Sequence, residues 1–160
     1  MVLTTNPRHP NMKYYIATKL ENHAEHNRLR DLLNAEGHQC TYDWTHHGPV
    51  YGSGLERVRE VAQHKTQGVL DAEYVFVLWP GGRGTHVELG VALAVGKNVI
   101  LVSDVDGHHI ASPETCAFYH HPLVRRCRSF ADFIENFDGD RDAMDEGRRT
   151  SVSETTGSTL

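Results

Sequence analysis

The sequence predicts one α/β domain, built on a parallel sheet of about five strands with helices on both faces. Short apolar runs alternate with amphipathic stretches in the order βαβαβαββα, a glycine-rich segment joins one apolar run directly to a helix, and no internal repeat occurs. Such alternation favours a parallel sheet, because each connection must return over one face of the sheet. The length of 160 residues suits one such domain and is short for two.

The first half of the chain predicts two βα units. The β-rich run Lys13–Thr18 predicts a buried first strand, and periodic apolar residues from about Asn22 to Glu36 predict a helix. A second strand is predicted over Gln39–Trp44 and a second helix from about Leu55 to Leu70. The residues expected to face inward from the second helix are Val58, Val61 and Ala62.

The second half predicts three more strands. The apolar run Tyr74–Leu78 leads into the glycine-rich segment, which a helix follows as far as Gly96, and Asn98–Val102 predicts the fourth strand. A short fifth strand is predicted over 115–119 and a closing helix over 129–134. The domain is thus expected over residues 13–137, between a flexible arm at 1–12 and a Ser/Thr-rich disordered tail at 138–160.

Composition limits the classes of partner. The formal charge of -5 argues against a nucleic-acid-binding surface, so a small polar ligand is expected. No apolar run approaches membrane-spanning length, and three unpatterned cysteines without a leader predict a cytoplasmic protein without disulfides. The 12 histidines include no recognisable metal-binding spacing, so neither a metal nor a cofactor is predicted.

Polar side chains follow three of the predicted strands. They are Tyr15, Thr18 and Lys19 from the first strand, Asp43 and Trp44 from the second, and the segment from Gly81 to Glu88 after the third. The carboxyl ends of parallel strands line the ligand crevice of such folds, so these groups are expected to converge. Asp43 and Trp44 can bind a base by hydrogen bonding and stacking, although Trp44 suits the core equally well.

The segment Trp79–Gly90 organises the predicted site. Its glycines Gly81, Gly82 and Gly84 allow backbone N–H groups to approach a ligand, and the start of the following helix favours negative charge there. Glu88, expected in the first helical turn, is the exception in this anion-binding setting. Its carboxylate can attack an anomeric carbon, with Tyr15 orienting it; alternatively, it merely favours the helix N-terminus electrostatically.

Two segments resemble the nucleoside 2-deoxyribosyltransferase superfamily. They are YIATKLEN (Tyr15–Asn22) and GTHVELGVALA (Gly84–Ala94), the second being similar to the family block that contains the nucleophilic glutamate. The resemblance implies a flavodoxin-like or Rossmann-like domain in a homodimer or larger homo-oligomer. It also implies that Glu88 attacks C1′ of a nucleoside, that Tyr15 positions Glu88, and that another base or water accepts the sugar.

The chain departs from this family at two positions. Lys65 stands where relatives carry an aspartate, and Gly82 stands where they carry an aspartate or serine. The residues assigned to substrate binding are Ala17, Thr18, Lys19, Asp43, Trp44, Gly81, Gly82, Arg83, Gly84, Thr85 and His86.

The segment Pro80–Glu88 also resembles the PGGxGTxxE signature of phosphoribohydrolases that release cytokinin bases from nucleoside monophosphates. Both resemblances imply an N-glycosidic bond as the target. Lys19, Thr18, Arg83 and Thr85 can hold a 5′-phosphate by charge-assisted hydrogen bonds. A non-catalytic nucleotide sensor, in which Glu88 only stabilises the helix start, is the alternative from another class.

Overall fold

The fold has three layers, with one parallel sheet between two layers of helices. The computed structural model describes residues 11–135. Within them, five strands pair in the order β2-β1-β3-β4-β5, and every pairing is parallel. The strands are β1 Lys13–Ala17, β2 Gln39–Cys40, β3 Tyr74–Leu78, β4 Asn98–Val102 and β5 Val124–Cys127. The predicted fold class is confirmed.

Helices cover both faces of the sheet. α1 His23–Ala35 and the helical residues 130–135 pack on one face, while α2 Leu55–Asp71 and α3 Arg83–Ala94 pack on the other. Successive side chains of a strand point to opposite faces. Tyr14 therefore packs in the core beneath α1, whereas Tyr15 packs in the core beneath α2 and α3. Burial of both faces explains why β1, β3 and β4 are nearly continuous apolar runs.

The two predicted terminal segments lie mostly outside the described residues. Residues 1–10 of the predicted arm and the whole of the predicted tail, residues 138–160, lie outside the described residues. Met12, the last residue of the predicted arm, is buried in the core. No helix found within residues 11–135 combines the length and the apolar content needed to cross a membrane.

The strand order places a crevice between β1 and β3. The connection after β1 leads outward to β2 on one side, and the connection after β3 leads to β4 on the other. In open parallel sheets, ligands bind at such a reversal, outside the carboxyl ends of the two strands. Residues that follow Ala17 and Leu78 therefore border the crevice.

Two strand predictions are wrong in extent or place. The second strand ends at Cys40, because Asp43 instead caps a 3-10 turn over Trp44–His47 by accepting a hydrogen bond from the Thr45 N–H. Residues 115–119 form no strand, and a 3-10 turn runs over Ala117–His120. The fifth strand is Val124–Cys127, a short edge strand with two arginines, whose charge masks the strand pattern.

The buried face of α2 also differs from the prediction. Val61 is buried as expected, but Val58 is 42% exposed and Ala62 is exposed; Gly68 and Val69 are buried instead. The helix approaches the sheet closely at Gly68, where a Cβ atom would lie 3.0 Å from the Tyr15 ring. Because of this close approach at Gly68, the helix face that contains Val61 and Val69 points toward the sheet.

Candidate active site

Glu88 projects from the buried face of α3 toward β1. The helix begins at Arg83 and Gly82 is its N-cap, so Glu88 lies in the second turn and not, as predicted, in the first. The predicted loop residues Gly84, Thr85 and His86 are accordingly helical. Glu88 shares the buried side of α3 with Thr85 and Leu89 and is only 5% exposed. A carboxyl group is rarely this buried without a specific role or partner.

The two oxygens of the Glu88 carboxylate have different surroundings. The Tyr15 hydroxyl donates a hydrogen bond of 2.9 Å to Oε1, and the Lys65 ammonium lies 3.3 Å from the same atom. Oε2 is buried and has no hydrogen-bond partner among the described residues. Two donors therefore fix one oxygen of the carboxylate and leave the lone pairs of the other available.

Burial dominates the electrostatics of this cluster. It raises the pKa of Glu88 above the ordinary value, and the nearby Lys65 charge and the Tyr15 hydrogen bond offset only part of the rise. Burial, together with the neighbouring Glu88 carboxylate, raises the pKa of Tyr15 well above its ordinary range. Tyr15 therefore stays protonated at neutral pH and serves as a hydrogen-bond donor to Glu88.

Lys65 is the member of this cluster to which the sequence analysis gave no role. It lies one helical turn after Val61 and one before Val69, so it belongs to the inward face of α2. Its Nζ atom lies 4.7 Å from the centroid of the Trp44 ring, within the range of a cation–π interaction. The spacing from Val61 and Val69 is the sequence signal that could have identified Lys65.

The glycine segment wraps tightly around the side chain of Thr85. A Cβ atom on Gly81 would lie 2.9 Å from Thr85 Cγ2, and the Gly82 N–H donates a 3.0 Å hydrogen bond to Thr85 Oγ1. Gly82 also lies close to Lys19, whose Cβ would be 3.6 Å from a Cβ on Gly82. The contacts of Thr85 with Gly81 and Gly82 thus stabilise the conformation of the glycine segment, and Lys19 lies beside it.

Ala17 and Thr18 lie in the interior at the end of β1. Ala17 belongs to the core, and the Thr18 hydroxyl donates a 2.9 Å hydrogen bond to the carbonyl oxygen of Leu78 at the end of β3. The same hydroxyl accepts a hydrogen bond from the Asn22 amide. Thr18 therefore connects the carboxyl ends of β1 and β3, the two strands that border the crevice.

Lys19 and Arg83 are the cationic residues beside the glycine segment. Lys19 is partly exposed and Arg83 is exposed. Neither forms an ion pair with another residue between positions 11 and 135. Their charges remain available to an anionic group held at the start of α3.

His86 connects the glycine segment to the turn after β4. Its Nδ1 is 2.8 Å from the carbonyl oxygen of Gly82, and its Nε2 is 2.8 Å from the hydroxyl of Tyr119. A carbonyl oxygen only accepts, so Nδ1 carries a proton, and in the neutral ring Nε2 accepts from Tyr119.

Gly84 is exposed, and a Cβ there would meet no atom within 4 Å.

Asp43 and Trp44 are held by interactions within the protein. Although burial opposes ionisation of Asp43, hydrogen bonds from Thr45 and Arg30 hold its pKa below the usual value. Trp44 is buried, and its indole N–H donates a 2.9 Å hydrogen bond to the carbonyl oxygen of Ile16. Trp44 reaches the Glu88 cluster through the contact with Lys65, whereas the Asp43 carboxylate pairs with Arg30 of α1.

The described residues offer no group of three or more His, Cys, Asp or Glu side chains arranged to bind a metal ion. The polar groups that converge are the Glu88 carboxylate, the Lys65 ammonium and the Tyr15 phenol, next to a glycine-rich helix start. Such a set can support nucleophilic attack by the carboxylate on an electrophilic carbon, beside a place for an anionic substituent.

Comparison with known proteins identifies one family. A sequence model of the nucleoside 2-deoxyribosyltransferase family matches residues 14–150. The solved structure of the Clostridium botulinum CMP N-glycosidase BcmB is similar, with a TM-score of 0.46 and 17% sequence identity over 79% of this chain and 98% of that chain. No curated protein is significantly similar in sequence.

Proposed function

Because the chain belongs to the nucleoside 2-deoxyribosyltransferase family, whose members transfer glycosyl groups, we propose that it cleaves an N-glycosidic bond with Glu88 as the nucleophile. The substrate is a ribo- or deoxyribonucleoside or its 5′-monophosphate. The sugar passes to another base or to water. The mechanism needs no cofactor, since the nucleophile is a side chain of the protein.

The observation that carries this proposal is the asymmetry of the Glu88 carboxylate. Tyr15 and Lys65 both contact Oε1, whereas Oε2 is buried without a hydrogen-bond partner among residues 11–135. An unpaired buried oxygen is costly to maintain, and such costs concentrate at functional sites. A carboxylate that serves only the helix N-terminus would instead lie in the first turn, where it meets the free N–H groups.

The reaction proceeds in two displacements. Oε2 of Glu88 bonds to C1′ while the C1′–N bond breaks, and the base leaves with the bonding electron pair and takes up a proton from water. A second base or a water molecule then attacks C1′, loses a proton to water and releases Glu88 as a carboxylate. Two inversions at C1′ give net retention, as in retaining glycosidases that use a carboxylate nucleophile.

The glycine segment supplies a place for a 5′-phosphate. The first N–H groups of α3 have no partners within the helix, and the helix dipole favours an anion there. Lys19 and Arg83 flank this position with charges that form no ion pair with other residues between 11 and 135. These features favour nucleoside 5′-monophosphates over uncharged nucleosides.

The test is a mixed panel of nucleosides and their 5′-monophosphates, incubated with and without an acceptor base and read by chromatography. The expected result is release or exchange of a base by the wild type and loss of that activity in Glu88→Ala. Glu60→Ala, which removes an exposed carboxylate from α2, is the matched control and should keep wild-type activity. Undiminished base release by Glu88→Ala, or tight nucleotide binding by the wild type without turnover, would refute the proposal.

We also propose a homo-oligomer that covers the outer face of α2 and α3. Val87 is 64% exposed on α3, and Leu55 is 73% exposed on α2. Val95 and Val58 add further apolar surface to the same helix pair. Apart from Glu88, the part of α3 from Val87 to Ala94 carries only apolar residues and glycine, and a helix that is apolar on all sides normally packs on all sides. Light scattering should give the mass of a dimer or larger assembly, and Val95→Glu should shift it toward the monomer; a monomeric wild type would refute this.

A further inference from the structure

Two features of α2 and one contact with Trp44 place Lys65 beside Glu88. Gly68 allows the helix to approach β1 so closely that a Cβ there would meet the Tyr15 ring at 3.0 Å. Lys65 shares this inward face, and 26% of its side chain remains exposed. The Lys65 ammonium also lies over the Trp44 ring, and the hydrogen bond from the Trp44 indole to β1 fixes that ring.

A lysine at this place stabilises the negative charge that Glu88 needs in order to act as a nucleophile. A nucleophilic carboxylate must be ionised, but a buried carboxyl group favours its neutral, protonated form. Tyr15 supplies a hydrogen bond but no charge, since it remains a neutral phenol. Among the described residues, Lys65 is the one that makes an ion pair with Glu88. Its 3.3 Å approach to Oε1 provides the counter-charge in the site.

The groups that face Glu88 come from two elements, namely Tyr15 of β1 and Lys65 of α2. Cys40 and Tyr42 are the other titratable groups that act on Tyr15, and burial raises the pKa of both, so both are neutral at neutral pH. His26, which packs edge-on against the Trp44 ring, interacts electrostatically with Lys65. Burial lowers the pKa of His26, so this ring is neutral at neutral pH. The positive charge in contact with the carboxylate is therefore that of Lys65.

We infer that Lys65 is a positioning residue that keeps the buried Glu88 carboxylate ionised and directs attack through its other oxygen, Oε2. The inference rests on the proposed function, because it deepens the role given to Glu88. Lys65 holds Oε1 together with Tyr15, so the carboxylate enters the reaction charged and in one orientation. The conservative replacement by arginine preserves this charge, whereas methionine removes it at nearly constant length.

The first experiment measures ionisation directly and needs no substrate. In protein labelled with 13C at the glutamate carboxyl carbons, Glu88 is assigned as the resonance lost in Glu88→Gln. Lys65→Met should raise the midpoint of its titration by about one pH unit or more, the usual effect of an opposite charge at contact distance. Lys65→Arg should leave the midpoint near that of the wild type. Lys97→Met, which removes a lysine that bonds to the Leu70 carbonyl, is the control and should also leave it unchanged.

The second experiment reads the same effect in the pH dependence of kcat/KM for base release. Lys65→Met should move the acid limb to higher pH by the same amount, and its rate should approach that of the wild type at alkaline pH, where Glu88 is ionised in both. An unshifted NMR titration of Glu88 in folded Lys65→Met overturns the inference, as does a rate lowered equally at every pH. Absence of base release by the wild type would refute the proposed function instead, and the NMR titration would still decide the role of Lys65.

Discussion

Replacing Glu88 by glutamine should stabilise the protein at neutral pH. Burial raises the pKa of Glu88 above its ordinary value of 4.5, so the folded state binds this proton more tightly than the unfolded state. Between the unfolded and folded pKa values, the unfolded state has lost the proton and the folded state still holds it. The free energy of unfolding therefore falls as the pH rises through this window. Glutamine resembles the protonated form and avoids the loss.

The size of the gain follows from the linkage between protonation and folding. Each pKa unit of upward shift corresponds to about 1.4 kcal/mol lost by the wild type once the carboxyl is ionised. For a domain of this size, 1 kcal/mol changes Tm by roughly 2–4 °C. The assay is thermal and urea unfolding of wild type and Glu88→Gln from pH 4 to pH 8. The difference should be small below pH 4.5 and largest at neutral pH.

Glu60→Gln is the matched control, because Glu60 is exposed and pairs with Arg57. The hydrogen bond and charge of Arg57 lower the pKa of Glu60, so its contribution to stability is present at neutral pH and lost as the pH falls. Any change in Glu60→Gln should thus be a loss at neutral pH. A Glu88→Gln variant that is less stable than the wild type at neutral pH, or a difference independent of pH, would show that the pKa of Glu88 is not raised in the folded protein.

Three further predictions concern separate parts of the site. Tyr15→Phe removes the 2.9 Å hydrogen bond to Glu88 and should lower kcat/KM for base release about 10- to 100-fold, measured beside the wild type; an unchanged rate would contradict the role of Tyr15. Gly81→Ala brings a Cβ within 2.9 Å of Thr85 Cγ2 and should lower the free energy of unfolding, measured in urea, by about 1–3 kcal/mol. Gly90→Ala, at an open helical position, should raise it by about 0.5–1 kcal/mol. Lys19→Ala should raise KM for nucleoside 5′-monophosphates about tenfold and leave KM for nucleosides unchanged; equal effects on both would exclude a phosphate contact.

Much of the architecture follows from local pattern. The apolar runs of β1, β3 and β4 are buried on both faces, so their sequences are continuous and unambiguous. The hydrogen bond from Tyr15 to Glu88 agrees with the orienting role predicted for Tyr15, although Tyr15 lies within β1 on the sheet face beneath α2 and α3 and not after the strand. The three central strands are thus encoded in short segments.

The missed features depend on packing between distant segments. β5 is an edge strand with two arginines and offers no apolar alternation, and Asp43 ends the second strand by capping a turn. Lys65 repeats the helical spacing of Val61 and Val69, but a charged side chain in a helix is ordinarily solvated, so this signal alone is weak. Its inward orientation results from the close approach at Gly68, which involves residues of β1 and the segment after β2. Such a contact is a property of the assembled layers and not of the helix sequence.

Detection of a sugar covalently bound to Glu88 is the decisive test of the proposed mechanism. The enzyme is mixed with a substrate identified in the nucleotide panel, quenched in acid within the first turnover, digested and analysed by mass spectrometry. The proposed mechanism predicts a peptide containing Glu88 whose mass is increased by that of the glycosyl group, and no such peptide from Glu88→Gln. A modification on a different residue, or base release that continues in Glu88→Gln, would contradict it.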